Sequence, residues 1–344
     1  MTLPAPLYIL SAEQISPQRP LCQDWTCCPR YPGGTYCRSD DPDFRHLLRP
    51  AEARRMGRLL KRAAAVSDRA LAAAGADCPD AIVTGTGWGC VESTEQFLQA
   101  LCTRGEHLLS PTHFMQSTHN TVSALLAIRT HCHGYNATFT HGAVSFDCAL
   151  HDAALLLREG SAGLALVGGH DEVTPDYRVL LRRMGYAGLA GQCPCCETSV
   201  ALTLSATPRR APLCRLDDLC LRHRPAPEEW ADAVGRMLGR CGKEPADVDL
   251  LVCGHNGLPD NDRPYDGLAR RLFPHTPQLR YKRLFGENFS VSAASVYAAA
   301  HLLRRATLPP ALGGGAPQGT PLRTVLVVNH SGGADFSAIL LERP

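Results

Sequence analysis

The chain has 344 residues, of which 44% are hydrophobic and 20% are charged, and its formal net charge is +2. That length and apolar content can build a large core, organised as two domains or as one duplicated domain. The near-zero charge gives no electrostatic argument for nucleic acid as a partner, and the apolar runs are too short to span a bilayer, so we expect no membrane segment. The first residues, MTLPAPLYILSAEQ, have neither a basic region nor a small-residue cleavage site, which predicts a first strand and a cytoplasmic location.

Strand-like runs alternate with helical patterns along the first half of the chain. The patterns predict strands over 7–16, 80–89, 136–142, 163–173 and 199–206, and helices over 51–75, 91–104, 117–132 and 145–159. The segment 17–40, which is rich in Pro and Cys, is predicted to be irregular. Alternation of this kind favours an α/β fold with buried sheets.

The second half repeats this alternation. Strands are predicted over 213–221, 248–256, 278–287, 324–333 and 336–343, helices over 226–241, 264–273 and 290–305, and a surface loop over 309–321. Each half has a Gly-rich strand near its end, LALVGGHDE in the first and VLVVNHSGG in the second, which indicates an internal duplication. The boundary falls in ATPRRAP and divides the chain into halves 1–206 and 207–344.

The sixteen cysteines are scattered through helical and strand-like segments and, without an export signal, are expected to be mostly free thiols. Neither of their two groups has the paired C-x₂₋₄-C units of zinc sites, so we predict no metal site and keep zinc binding by the first group as an alternative. In the segment GTGWGC (85–90) the following helix and the acidic residue for a ribose are wrongly placed for a dinucleotide loop, so no cofactor site is predicted. The two groups are Cys22, Cys27, Cys28 and Cys37, and Cys193, Cys195 and Cys196.

A strand-turn-helix corner is predicted in NATFTHGAVSFDCALHDAALLLREG (136–160). Corners of this kind often expose a nucleophile at a helix N-terminus. Here the turn offers only small residues up to Ser145, and the first cysteine, Cys148, comes later. The corner therefore has the shape of an active site without its reactive atom.

Seven segments, taken in order, resemble the β-ketoacyl synthase (ketosynthase) family of the thiolase-like fold. The resemblance implies an α/β fold with two pseudo-duplicated halves, each a mixed five-stranded sheet covered by helices, packed as an α-β-α-β-α sandwich. More narrowly, the chain looks like the short ketosynthase-like proteins encoded with aryl-polyene and flexirubin-type pathways. The segments are SPTHFMQSTHNTVSALLAI (110–128), ATFTHGAVSFDCALHDAALLLREG (137–160), LALVGGHDEVTP (164–175), CETSVALTL (196–204), CGHNGLPDND (253–262), YKRLFGENFSVSAASVYAAAHLL (281–303) and VNHSGGADFSAIL (328–340).

The family's chemistry uses a Cys thiolate at a helix N-terminus, two His side chains that assist malonyl decarboxylation, and backbone N–H groups as an oxyanion hole. On that pattern the nucleophile position falls on Ala143, the first His position on His255 and the second on Glu287. The family's Lys falls on Lys282. A methyl group cannot attack a thioester, and a carboxylate would repel an enolate, so two of these three positions have lost their chemistry.

Three further expectations follow from the resemblance and the pattern. The Gly332–Gly333 pair is expected in a tight hairpin that would offer backbone N–H groups to an oxyanion. Cys148, expected to face the core, and Ser145, expected to cap the helix, are alternative nucleophiles. Glu287 has a second interpretation, an ion pair with Lys282 or with an Arg across a loop.

The resemblance implies a non-condensing subunit similar to chain length factors, so enzymatic activity of the chain alone stays uncertain. It would pair with a Cys-bearing ketosynthase in fatty acid, polyketide or aryl polyene synthesis, or form a homodimer, through the strand near 136–140, and would work on substrates carried by the phosphopantetheine of an acyl carrier protein. No other cofactor is expected. The alternative is an active β-ketoacyl synthase or malonyl decarboxylase that uses His255 and Cys148.

Overall fold

The computed structural model describes residues 5–22, 24–107, 109–186, 191–209, 211–312 and 319–344. The strands are β1 (Leu7–Ile15), β2 (Tyr36–Cys37), β3 (Ala81–Gly85), β4 (Tyr135–Phe139), β5 (Leu164–Asp171), β6 (Cys195–Cys196), β7 (Thr198–Ser205), β8 (Cys214–His223), β9 (Leu250–Cys253), β10 (Gln278–Arg280), β11 (Thr324–Ser331) and β12 (Asp335–Glu342). The α-helices are α1 (Pro50–Ala53), α2 (Arg58–Ala74), α3 (Val91–Arg104), α4 (Pro111–Gln116), α5 (Thr121–Thr130), α6 (Ser145–Arg158), α7 (Pro175–Arg183), α8 (Pro227–Arg240), α9 (Pro259–Leu272), α10 (Lys282–Phe285) and α11 (Ser292–Arg305).

The main sheet repeats one strand order. The first half contributes β4-β3-β5-β7-β1 and the second half β10-β9-β11-β12-β8, which is the order 3-2-4-5-1 in both. The two sets join where the start of β1 pairs antiparallel with β8. The structure thus carries the duplicated arrangement of the predicted thiolase-like fold. The boundary after residue 206 falls between β7 and β8 and stays a prediction.

Three apolar clusters separate the layers. The largest lies around α6 and α11, which pack between the two sets of strands, and α11 is buried from Ser292 to Leu303. A second cluster lies under α2 and α5 on the outside of the first half, and a third lies under α8 and α9 on the outside of the second. The layers therefore follow the order α-β-α-β-α. The run of alanines in α11 lets this central helix fit closely against strands of both halves.

Most predicted elements are present, with some corrections. The strand predicted over 278–287 ends at Arg280, and residues 282–285 form the short helix α10. The helix predicted over 117–132 begins only at Thr121. Helix α7 was not predicted, and the segment 17–40, otherwise irregular, contributes the two-residue strand β2. Part of the predicted loop 309–321, residues 313–318, lies outside the described residues.

A buried arginine ties the segment before α1 to the core. Arg62 in α2 is fully buried, and its guanidinium lies 2.5 Å from a carboxylate oxygen of Asp41 and 2.7 Å from one of Glu197. Because a buried charge is costly without partners, these two carboxylates are needed to hold Arg62 in the interior. Glu197 therefore has a structural role here, next to the β6–β7 turn.

Candidate functional site

A cleft of about 820 Å³ opens between the two halves. The predicted corner contributes one lining residue to the cleft, and loops and helices of the second half contribute most of the polar lining residues. Its apolar wall contains a cluster of rings in which Phe289 lies 5.3 Å from Trp88 and 4.9 Å from Tyr186 between ring centres. The described residues that line the cleft are Gly87, Trp88, Ala143, Tyr177, Leu181, Met184, Gly185, Tyr186, Asn256, Leu258, Pro259, Asp260, Asn261, Lys282, Glu287, Phe289, His330, Ser331 and Gly332.

The strand-turn-helix corner forms as predicted. A single 3₁₀ turn covers Gly142–Val144, helix α6 begins at Ser145, and Ala143 lines the cleft. The buried Ser145 hydroxyl donates to the Gly142 carbonyl at 2.7 Å and accepts from the His141 N–H at 2.9 Å. This hydroxyl holds the turn closed, so Ser145 has a structural role and does not line the cleft.

The amides at the corner and at the Gly-rich hairpin already have partners. Gly332 and Gly333 have φ values of 55° and 76°, and they form the tight β11–β12 hairpin that was predicted. The Ala143 N–H donates to the Ser331 hydroxyl at 3.2 Å, and the Gly333 N–H donates to His330 Nδ1 at 3.0 Å. An oxyanion would have to displace these contacts, so neither amide is preorganised for one.

The polar floor of the cleft is a buried ion pair. The ammonium of Lys282 lies 2.9 Å from Glu287 Oε1, and both side chains are 3% exposed. The side-chain amide of Asn256 donates to Glu287 Oε2 at 2.9 Å. The alternative interpretation of Glu287, an ion pair with Lys282, is therefore confirmed, and the carboxylate is fully engaged by a cation and a neutral donor.

His255 is turned away from the cleft. Its Nε2 lies 3.1 Å from Asp266 Oδ1, and its ring packs 4.9 Å from that of Tyr265 between ring centres. Burial lowers the pKa of the His255 imidazole, and the contact with Asp266 opposes that shift. The sequence placed His255 at a catalytic position, whereas its neighbour Asn256 is the loop residue that faces the cleft.

His330 lines the cleft and was missed by the sequence analysis. Its Nε2–H donates to the Asn261 carbonyl at 2.9 Å, while Nδ1 accepts from the Gly333 N–H. Burial, with help from the charge of Lys282, lowers the pKa of His330 to about 4, so the ring is neutral at neutral pH. In the sequence, the position of His330 directly before the glycines of VNHSGG could have indicated a residue of the site.

Cys148 lies outside the cleft. It sits in the first turn of α6 and is half-buried, not in the core as expected. Burial raises the pKa of its thiol to about 12, and the nearby carboxylates of Asp147 and Asp335 add to that shift. A thiol that stays protonated is a poor nucleophile, which argues against Cys148 as the displaced reactive group.

Alkylation of Cys148 by iodoacetamide should be very slow at pH 8 and should rise about tenfold per pH unit up to pH 11. The reason is that only the thiolate reacts and its fraction grows with pH below the pKa. Peptide mass spectrometry over this pH range measures the rate, with the exposed Cys28 as internal reference. Comparable labelling of Cys148 and Cys28 at pH 8 would contradict this expectation.

A family model described as beta-ketoacyl synthase, N-terminal domain, matches residues 23–234. The chain belongs to the β-ketoacyl synthase family. Three solved structures have the same fold as this β-ketoacyl synthase family member. The first is the ishigamide ketosynthase/chain length factor, with a TM-score of 0.81 and 17% identity over 99% of both chains. The second is a chain of the complex of the ketosynthase ApeO with its chain length factor ApeC from Xenorhabdus doucetiae, with a TM-score of 0.76 and 18% identity over 98% of both chains. The third is a chain of the AntDE:AntF complex, a type II PKS acyl-carrier protein with its ketosynthase bound to the hexaketide, with a TM-score of 0.79 and 13% identity over 99% of this chain and 100% of that one.

A search of curated protein sequences found no relative of this β-ketoacyl synthase family member. Within the described ranges, no helix is both long and apolar enough to cross a bilayer. In the same ranges no group of three or more His, Cys, Asp or Glu side chains is arranged to hold a metal ion.

Proposed function

We propose that the chain is a non-condensing ketosynthase-like subunit, similar to chain length factors, that pairs with a Cys-bearing β-ketoacyl synthase. The observation that carries this proposal is the methyl group of Ala143 at the corner where the family places its thiol. Among the described residues that line the cleft, none is a cysteine. Covalent acylation at this cleft therefore lacks its nucleophile.

The remaining groups of the cleft support the same function. Condensation needs donors that stabilise the developing negative charge of an enolate and of a tetrahedral intermediate. At the corresponding positions the chain has the Glu287 carboxylate, paired with Lys282, and two amides that already donate to Ser331 and His330. His255, which the alternative active enzyme would use for malonyl decarboxylation, is bonded to Asp266 instead. The chemistry is then performed by another chain.

The pairing surface that we propose is the edge strand β4 with the helices beside it. In the described part of the chain, β4 pairs with β3 and ends the sheet. Its sequence YNATF has no charged residue, and unpaired edges of this kind favour strand pairing. Large apolar side chains are exposed on the neighbouring elements, with Ile128 of α5 74% exposed and Leu155 of α6 42% exposed. An obligate pair would bury on the order of 1,000 Å² per partner or more.

The substrate that we propose is an acyl chain carried by the phosphopantetheine of an acyl carrier protein, in fatty acid, polyketide or aryl polyene synthesis. Support comes from two of the structural relatives, which are named as a ketosynthase with its chain length factor and as a ketosynthase complex with an acyl-carrier protein. In this function the chain contributes interface area and side chains that shape the partner's acyl tunnel.

The test is acyl transfer to the chain itself. After incubation with acyl- and malonyl-carrier thioesters, the intact mass of the chain should be unchanged and no decarboxylated carrier should form, while a Cys-bearing β-ketoacyl synthase gains the acyl mass. Ala143→Cys should also fail to condense, because Glu287 and the occupied Ala143 amide remain. An acyl group mapped to Cys148 and lost in Cys148→Ala would overturn the proposal.

A further inference from the structure

Two cysteines from distant parts of the sequence face each other beside the floor of the cleft. The short strands β2 and β6 form a separate two-stranded parallel sheet in which Cys37 is directly opposite Cys196. Cys37 is half-buried and so reachable from solvent, whereas Cys196 is fully buried. The Cys37 thiol donates to the Arg38 carbonyl at 3.4 Å. Neighbouring strands lie about 4.7–4.9 Å apart, so the Cα atoms of directly opposed residues are within the range that a disulfide spans.

Hydrogen bonds on both sides of the pair fix this arrangement. The Cys195 N–H donates to the Thr35 carbonyl at 3.2 Å. The Ser39 hydroxyl donates to the Glu197 carbonyl at 2.8 Å, and the Ser39 N–H donates to the carboxylate of Glu197 at 3.3 Å. The backbone before and after each cysteine is therefore held in this register.

The two thiols differ in reactivity. The neighbouring Cys196 thiol lowers the pKa of Cys37 to about 7, because a thiol proton directed at Cys37 stabilises its thiolate. Burial raises the pKa of Cys196 well above its usual value. Cys37 is therefore the thiol that reacts first with an electrophile. Cys196 stays protonated and reacts only after Cys37, when its proton can pass to the departing hydroxide.

We propose that Cys37 and Cys196 form a peroxide-sensitive dithiol that closes into a disulfide. The Cys37 thiolate attacks one oxygen of a hydroperoxide, the O–O bond breaks, and the sulfur becomes a sulfenic acid while hydroxide or alkoxide leaves. The Cys196 sulfur then attacks the Cys37 sulfur, the S–O bond breaks, and water leaves with the Cys196 proton. The two sulfurs together lose two electrons to the peroxide. A thiol reductant reverses the reaction.

The disulfide would restrain the floor of the cleft. The Cys196 N–H donates to the Glu287 carbonyl at 3.1 Å, and the Glu287 N–H donates to the Pro194 carbonyl at 2.8 Å. A Cβ at Gly286 would lie 2.1 Å from the Cys196 sulfur, so this glycine leaves the space that the sulfur occupies. A disulfide at Cys196 would therefore restrain the backbone that carries Glu287. This effect does not depend on the proposed pairing with a ketosynthase.

The experiment treats the full chain with hydrogen peroxide, alkylates it under denaturing conditions and maps its tryptic peptides without reduction. We expect two of the sixteen thiols to be lost, and peptide 31–38, whose one cysteine is Cys37, to be joined to peptide 184–209. Fragmentation should assign the link to Cys196 among the three cysteines of that peptide. Cys37 should react several-fold faster at pH 7 than free cysteine, whose thiol pKa is about 8.5.

Variants make the outcome decisive. Cys37→Ser should abolish the linked peptide. Cys196→Ser should leave Cys37 as a sulfenic acid that dimedone traps. Cys28→Ser, which changes an exposed cysteine of the same segment, should leave the link intact. Dithiothreitol should restore both thiols. Oxidation of Cys37 to sulfinic acid without any link in the unaltered chain, or a link to Cys193 or Cys195, would overturn the proposal.

Discussion

Glu287→Gln should destabilise the fold by about 3–5 kcal/mol, because it leaves the buried ammonium of Lys282 without a counter-charge. The two side chains are 2.9 Å apart, and water reaches only 3% of either. Glutamine keeps the shape and can still accept from Asn256, so the loss reports the charge and not a cavity. The measurement is the free energy of unfolding from urea titration.

Two further variants separate the buried pair from a general effect of charge removal. Lys282→Met combined with Glu287→Gln removes both charges and should recover more than half of the lost stability. Asp260→Asn breaks the exposed Arg263–Asp260 pair, in which the side chains are 74% and 93% exposed, and should cost at most about 1 kcal/mol. A loss below that value for Glu287→Gln would show that the Lys282 charge is stabilised by other groups.

Ile128→Glu combined with Leu155→Glu should raise the dissociation constant of the proposed pair at least about 100-fold, which corresponds to about 2.7 kcal/mol. Both side chains flank strand β4 and are exposed in the single chain, so the folded chain should tolerate the change. In a pair formed through β4 the new carboxylates would be buried without cations. Co-purification with a Cys-bearing ketosynthase and sedimentation velocity of the product measure the effect.

The matched control for this surface is Met184→Glu. Met184 is 81% exposed at the end of α7, on the side of the cleft, and it offers a comparable apolar-to-acidic change away from β4. Pairing should be unaffected by it. Unchanged pairing in the double variant, or loss of pairing in Met184→Glu, would contradict the assignment of β4 as the pairing edge.

Much of the fold was readable from the sequence because its strands are buried on both faces. Strands such as Leu164–Asp171 and Thr324–Ser331 are continuous apolar runs that end in glycines or polar turns, and this pattern is local. Helix α7 escaped because its pattern is short and polar, although Thr174 before Pro175 was a capping signal. The Thr174 hydroxyl indeed accepts from the Tyr177 N–H at 3.1 Å.

The site was only partly readable, for a different reason. Order and spacing brought Ala143, Lys282 and Glu287 to one cleft as expected. The same reasoning could not decide whether His255 or Asn256 faces that cleft, because a loop has no periodicity to orient adjacent side chains. The contact between Ala143 and Ser331 joins residues 188 positions apart, and it depends on how the two halves pack.

The buried guanidinium of Arg62 is one reason why the segment before α1 is needed for the fold. A polypeptide trimmed to start at the first α-helix would keep Arg62 in the interior but would lose Asp41, one of the two carboxylates that neutralise it. Such trimming would also remove β1, where the two halves of the sheet join, and β2, which pairs with β6. The irregular segment between β1 and α1 is thus part of the domain, and shortened versions should retain it.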